Sequence, residues 1–263
     1  MGLIIQPAGG SEMARLACVV FLVVLWGGPY PLIHRASGSA ATLRQPELQL
    51  PQAQFGGIYR RMLGDNPATL DPAFLTDIYG RAVVNQIFDG LVQLDAELNP
   101  IPAIAEFWEA SRDGRTWTFN LRQGVRFHHG REVTAQDFVY SFSRFLKPQK
   151  SVPLTEFFHR VQGAQDFMQG KAQHVEGLKA LDRYTLQIAL EESLASSLLL
   201  LELAYANVVP QDEVERQGDH FGRSPVGTGP FKFVRWEQNK EIALEATTST
   251  TRGGLFSMLL CTR

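Results

Sequence analysis

Cysteine is almost missing from this chain of 263 residues: Cys18 and Cys261 are the only two, and none lies between them. The body of the chain therefore has no disulfide of its own, no thiolate nucleophile and no zinc–cysteine cluster. An excess of charge is missing as well. With 25 Lys and Arg against 27 Asp and Glu, the net charge is −2, which gives no broad attraction to nucleic acid or to an anionic membrane surface. Arg60-Arg61 and the scatter of Arg122, Arg126 and Arg131 read as a mixed, solvated face. Long apolar runs are absent too. Leu16–Trp26 is well short of the ~20 residues that span a bilayer, and the four leucines Leu198–Leu201 sit between Glu192 and Glu202, as in a buried helix. Nor is there a G-x-S-x-G elbow or an H-E-x-x-H pair. His128 and His129 are adjacent, so their side chains diverge, and His34, His159, His174 and His220 are scattered singly. Glu191-Glu192 reads as a solvated turn. Neither an enzyme, a metal site nor a cofactor is expected.

What the chain does have is core: 44% hydrophobic against 20% charged residues excludes global disorder. The most ordered stretch is Asp113–Asp137. Trp117, Phe119 and Leu121 alternate with Thr118, Asn120 and Arg122, the period of a half-buried strand. Gly124 breaks the pattern, and Val125 and Phe127 begin a second short run. His128-His129-Gly130 is turn chemistry. Thr134, with Asp137 three residues on, predicts a helix N-terminus. Phe138, Phe142 and Phe145 then share one helical face, and Pro148 ends the helix.

Together, Trp117-Thr118-Phe119, Leu121-Arg122, Gly124-Val125, Phe127-His128, Gly130 and Val133–Val139 closely resemble the most recognisable segment of the family-5 extracellular solute-binding proteins. These are the peptide- and nickel-type receptors of bacterial ABC importers. A second match is Ser224–Phe231, which resembles the family's P-V-G-T-G-P-F/Y loop, a structural crossover near the hinge. The loop lacks the G-x-x-x-x-G-K-[ST] pattern of a phosphate cradle. Gln86–Val92 resembles the family's helix-to-strand junction, and Pro102–Ala105 with Trp108 also fits. Thr69-Leu70-Asp71-Pro72 resembles the sequence that follows the family's first strand.

The resemblance implies a mixed α/β, periplasmic-binding-protein-like type II (cluster C) fold, here the first lobe with its extra subdomain. The implied function is capture of a peptide outside the cytoplasmic membrane and delivery to an ABC permease, by a monomer that binds no nucleic acid. Nickel, haem, sugar or another small solute remains open as ligand on the same scaffold. By position, Asn66, Pro67 and Ala68 would line the ligand cleft with their backbone, while on residues alone they fit an ordinary Asx/Pro turn equally well. A remnant without binding activity and a stand-alone secreted interaction module are the other classes left open.

Elsewhere the readings rest on pattern. Residues 1–40 have the form of a secretory signal: Arg15, the short apolar run, then small residues from Ala36 to Ala41. An uncleaved anchor is the alternative, and Met1 or Met13 could be the start. Residues 41–57 are a linker and residues 58–246 the lobe, beginning with a strand at Ile58, Arg60 and Met62. Asp77 caps a helix that carries Val83, Val84, Ile87 and Phe88 and ends at Gly90. Asp95–Pro100 is a turn and Leu154–Met168 weakly helical. Leu178–Leu190 is a hairpin, a helix opens at Ser193, and Asp212–Gln217 is a polar helix. Phe231–Trp236 and Glu241–Glu245 are paired strands.

After Ala246 the resemblance ends. Thr247–Gly253 can be encoded as ACN ACG AGT ACT ACG AGG GGN, and regrouped from the third base this gives x-Glu-Tyr-Tyr-Glu-Gly, close to what the family places there. Residues 247–263 are therefore expected to be a frameshifted, non-native tail on a truncated chain whose second lobe is missing. Such a chain would leave an unfilled edge in the lobe's sheet.

Overall fold

The computed structural model describes residues 57–146, 157–195, 206–247 and 257–261. The expected signal segment, the linker up to residue 56 and most of the helix expected from Ser193 lie outside them. All described residues belong to one compact unit beginning at Gln52, and it contains two apolar cores.

The first core is built on an antiparallel sheet in the order β4-β5-β7-β6, formed by Ala105–Ala110 (β4), Thr116–Leu121 (β5), Leu178–Ala180 (β6) and Thr185–Ala189 (β7). The alternation of β5 appears as expected: Trp117, Phe119 and Leu121 are buried and the residues between them are half-buried. Helix α2 (Ala135–Arg144) covers this sheet from the side of β6 and β7. Thr134 is its N-cap, and both its N–H and its hydroxyl donate to Asp137 Oδ2, at 2.9 and 2.8 Å. Phe138, Phe142 and Phe145 all point inward. Phe142 lies 4.9 Å and Phe145 5.1 Å, ring centre to ring centre, from the buried Phe158, with the Phe145 ring stacked on it.

The second core lies between helix α1 (Ile78–Ile87) and a sheet in the order β1-β10-β9-β8. Its strands are Ile58–Met62 (β1), Phe231–Glu237 (β8), Glu241–Ala246 (β9) and Ser257–Cys261 (β10). Asp77 caps α1, its Oδ1 accepting from Gly80 N–H at 2.6 Å. The remaining elements are a short hairpin, β2 (Val92–Leu94) with β3 (Pro100–Pro102), and two short helices, α3 (Ala164–Met168), packed in the first core, and α4 (Gln211–Gln217), whose Val214 belongs to the second.

Several expectations need correction. The sheet position expected to stand empty is filled: β10 pairs in parallel with β1 and antiparallel with β9. Main-chain hydrogen bonds do not depend on the side chains carried, and Leu260 brings a buried apolar group to the second core. The strand expected at Ile58, Arg60 and Met62 is present as β1, which stands at one edge of this sheet with all five residues exposed. Helix α1 ends at Ile87 rather than at Gly90, because Phe88 is already extended and Gly90 bridges to Asn207. Val125 and Phe127 do not form a strand. They belong to a minimal hairpin closed by Phe127 N–H to Arg131 O and Val133 N–H to Val125 O, at 2.9 and 2.8 Å. Leu154–Met168 is not one helix, since Gly163, at φ 74°, breaks it before α3.

Candidate functional site

The segment after β1, expected to line a cleft, is held in place from four sides. Asn66 forms a reciprocal pair with Asn239 in the β8–β9 turn: its Nδ2 donates to Asn239 Oδ1 at 2.6 Å, and Asn239 N–H donates to its Oδ1 at 2.9 Å. Asn239 sits at φ 59°, a left-handed conformation that Asn tolerates better than most residues. Ala68 N–H donates to Asp77 Oδ2, the other oxygen of the residue that caps α1, at 3.2 Å. Leu70 N–H donates to Gly222 O at 2.9 Å. Of the three residues proposed for the cleft, Asn66 is half-buried, Pro67 buried and Ala68 exposed. Only Asn66 and Ala68 therefore present atoms outward.

The fourth brace was not foreseen from the sequence. Asp71, buried just beyond the segment, accepts from Arg144 at the end of α2 through both oxygens, at 2.9 and 2.6 Å. Its Oδ1 also accepts Ala73 N–H at 3.0 Å, capping the 3-10 turn Pro72–Phe74. The guanidinium lies 5.5 Å from the centre of the Phe74 ring and 6.0 Å from that of Phe221. A two-toothed Arg–carboxylate contact fixes orientation as well as distance. It ties the segment to a helix of the other core. The signal was present as an acid in the T-L-D-P stretch and an arginine in the last turn of a predicted helix, but 73 residues separate them.

The P-V-G-T-G-P loop, residues 225–230, is the second feature of the site. Gly229 N–H donates to Ile87 O at 2.8 Å, and Asp89 N–H donates to Thr228 Oγ1 at 3.0 Å. The loop thereby covers the C-terminal end of α1, where carbonyls lack partners within the helix. A Cβ on Gly229 would stand 2.6 Å from Gln86 O, and one on Gly227 would collide with Ile87 O. Glycine is required here by close backbone approach. Gly227→Ala is expected to destabilise the chain by about 1–3 kcal/mol, as overpacking of a backbone contact does, and urea unfolding would measure it. Beside this junction lies a cavity of about 290 Å3 lined by Asn85, Phe88, Asp89, Gln93, Leu98 and Asn207.

His128 and His129 diverge as expected. His128 turns to the glycine loop, while His129 Nε2 contacts Asp212 of α4 at 3.1 Å. Arg131 joins Asp212 and Asp137 in the same cluster, at 3.0 and 2.7 Å. Partial burial opposes the charge on Asp212, but the contacts from His129 and Arg131 outweigh it and hold this carboxyl below its usual range. No group of three potential metal ligands occurs among the described residues.

A sequence model described as "Bacterial extracellular solute-binding proteins, family 5 Middle" matches residues 99–249. The periplasmic oligopeptide-binding protein OppA of Salmonella typhimurium is 33% identical over 187 residues, covering 69% of this chain and 34% of that protein. A crystal structure of Haemophilus influenzae OppA in complex with RPPGFSPFR is similar at a TM-score of 0.72 and 29% identity, covering 81% of this chain and 42% of the other. The substrate-binding domain of an oligopeptide ABC transporter from Bacillus anthracis gives a TM-score of 0.72 at 27% identity, covering 78% and 41%. The chain thus spans about a third of the length of the curated relatives it matches.

Proposed function

Because the chain belongs to the bacterial extracellular solute-binding proteins of family 5, we propose that it serves as the extracytoplasmic receptor of an ABC importer, capturing peptides for a membrane permease. The family is one of receptors and not of enzymes. The observation that carries the peptide reading is that this lobe shares sequence and fold with a periplasmic oligopeptide-binding protein and with a structure holding a nine-residue peptide. The braced segment Asn66–Ala68 would offer the ligand main-chain carbonyls in a fixed position, its N–H groups being taken by Asp65 and Asp77. Recognition through main-chain groups tolerates varied side chains, and rigid placement limits the ordering cost of binding.

Isothermal titration of the chain with a pool of short peptides tests this reading. A saturable heat that is absent with free amino acids and with a nickel salt is expected. Saturation by nickel alone, or no heat with any peptide, would overturn it.

A further inference from the structure

His128 joins the hairpin that precedes α2 to the loop over α1 through both its main chain and its ring. The main-chain N–H of His128 donates to Gly227 O at 2.8 Å. In return Gly227 N–H donates to His128 Nδ1 at 3.3 Å. The other ring nitrogen lies 2.9 Å from Gly229 O. These partners assign the tautomer. Nδ1 receives a hydrogen and so carries none, while Nε2 faces a carbonyl and so holds the proton that it donates. Both ring nitrogens are therefore used, and the arrangement suits only the neutral ring, since an imidazolium has no acceptor.

We propose that His128 is a proton-operated latch: neutral, its ring helps fasten the glycine loop to the 125–133 hairpin, and on protonation it gives up the bond from Gly227 N–H and loosens that end of the loop, leaving the main-chain bond from His128 N–H to Gly227 O. The ring adds to the main-chain bond from His128 N–H to Gly227 O that also ties the loop to the hairpin. Phe127 belongs to the first core and Phe231, directly after the loop, to the second, while Val226 touches both. A proton on His128 thus acts where the two cores are joined. The proposal concerns the chain's own packing and stands whether or not a peptide binds.

The surroundings decide the pH at which the latch works. Burial is the largest influence and pushes the ring below its ordinary value. The Gly229 carbonyl and Asp89, at the junction after α1, pull the other way, while Lys232 on β8 and His129 on the same turn add to the lowering. His129 is itself engaged by Asp212 of α4, next to Arg131. A base whose pKa is lowered on folding contributes stability that is whole above the unfolded value, about 6.5 for imidazole. That contribution is lost as the pH falls through the folded value, because the unfolded chain then binds more protons. The latch is therefore closed at neutral pH and opens in acid.

Amide exchange, corrected for intrinsic rates, on the whole chain and on His128→Asn gives the test. Asn keeps an acceptor near the Nδ1 position and cannot take a proton. In the wild type, protection of the Gly227 amide is expected to fall about tenfold or more as the pH is lowered from neutral through the midpoint of the His128 titration, ahead of amides in β5. In the variant it should stay level with them. Equal loss in both proteins, or loss in the wild type only together with β5, would overturn the latch. If His128→Asn does not fold, ring-nitrogen NMR of the wild type decides. A proton on Nε2 at neutral pH and a titration whose midpoint matches the loss of Gly227 protection are expected. A proton on Nδ1, or midpoints that differ, would refute the proposal.

Discussion

Asp71→Ala is expected to destabilise the chain by about 3–5 kcal/mol, the cost of leaving one member of a buried ion pair without the other. Asp71 and Arg144 are 4% and 7% exposed, so water cannot replace the lost partner. Truncating Asp71 strands a guanidinium between the Phe74 and Phe221 rings and removes the cap from the 3-10 turn. Replacing both at once, as Asp71→Ala with Arg144→Met, is expected to cost less than Asp71→Ala alone, because no uncompensated charge remains. Urea unfolding of the two single variants and the double variant measures the coupling. A double variant as unstable as the sum of the singles would show that the pair does not act as a unit.

Phe142→Ala should have an effect of similar size, about 3–5 kcal/mol, as for other buried phenylalanines cut back to alanine. Phe142 is fully buried and lies between Phe138, at 5.6 Å, and Phe158, at 4.9 Å. The gap would open under the last turn of α2, the turn that also presents Arg144. The expectation is thus a lower midpoint of thermal unfolding together with a weakened Asp71 contact. Phe142→Leu, which fills most of the space, should recover the larger part of the loss.

How much of this was legible beforehand follows from what each feature depends on. The β5 alternation and the Thr134 and Asp77 caps depend on neighbours a few residues away, and each appeared where its residues placed it. The β8–β9 and β6–β7 hairpins did so for the same reason. The end of α1 did not. Gly90 is a natural helix terminator, but the helix stops earlier because the 225–230 loop, far along the chain, supplies the partner for Ile87 O. The Asp71–Arg144 pair, the Asn66–Asn239 pair and the ring bonds of His128 are all contacts between residues distant in sequence, and no local period encodes them. The place of β10 was hidden for another reason. A strand interior to a sheet needs free main-chain groups on both flanking strands, and β1 and β9 offered them to a segment that lies beyond residues 99–249, the part matched by the family model. The segment expected to line a cleft was pointed to by resemblance alone; the structure adds that Pro67 is buried and that Asn66 and Ala68 are the ones accessible.

The proposed peptide path runs along the segment that follows β1. Amide-resolved NMR during titration with a short peptide tests it most directly. The Asn66 and Ala68 amides are expected to shift first and saturate together, with Asn239 following through its bonds to Asn66, while β5 and β7 stay unmoved. Saturable shifts confined to other surfaces, or none at any peptide concentration, would contradict it.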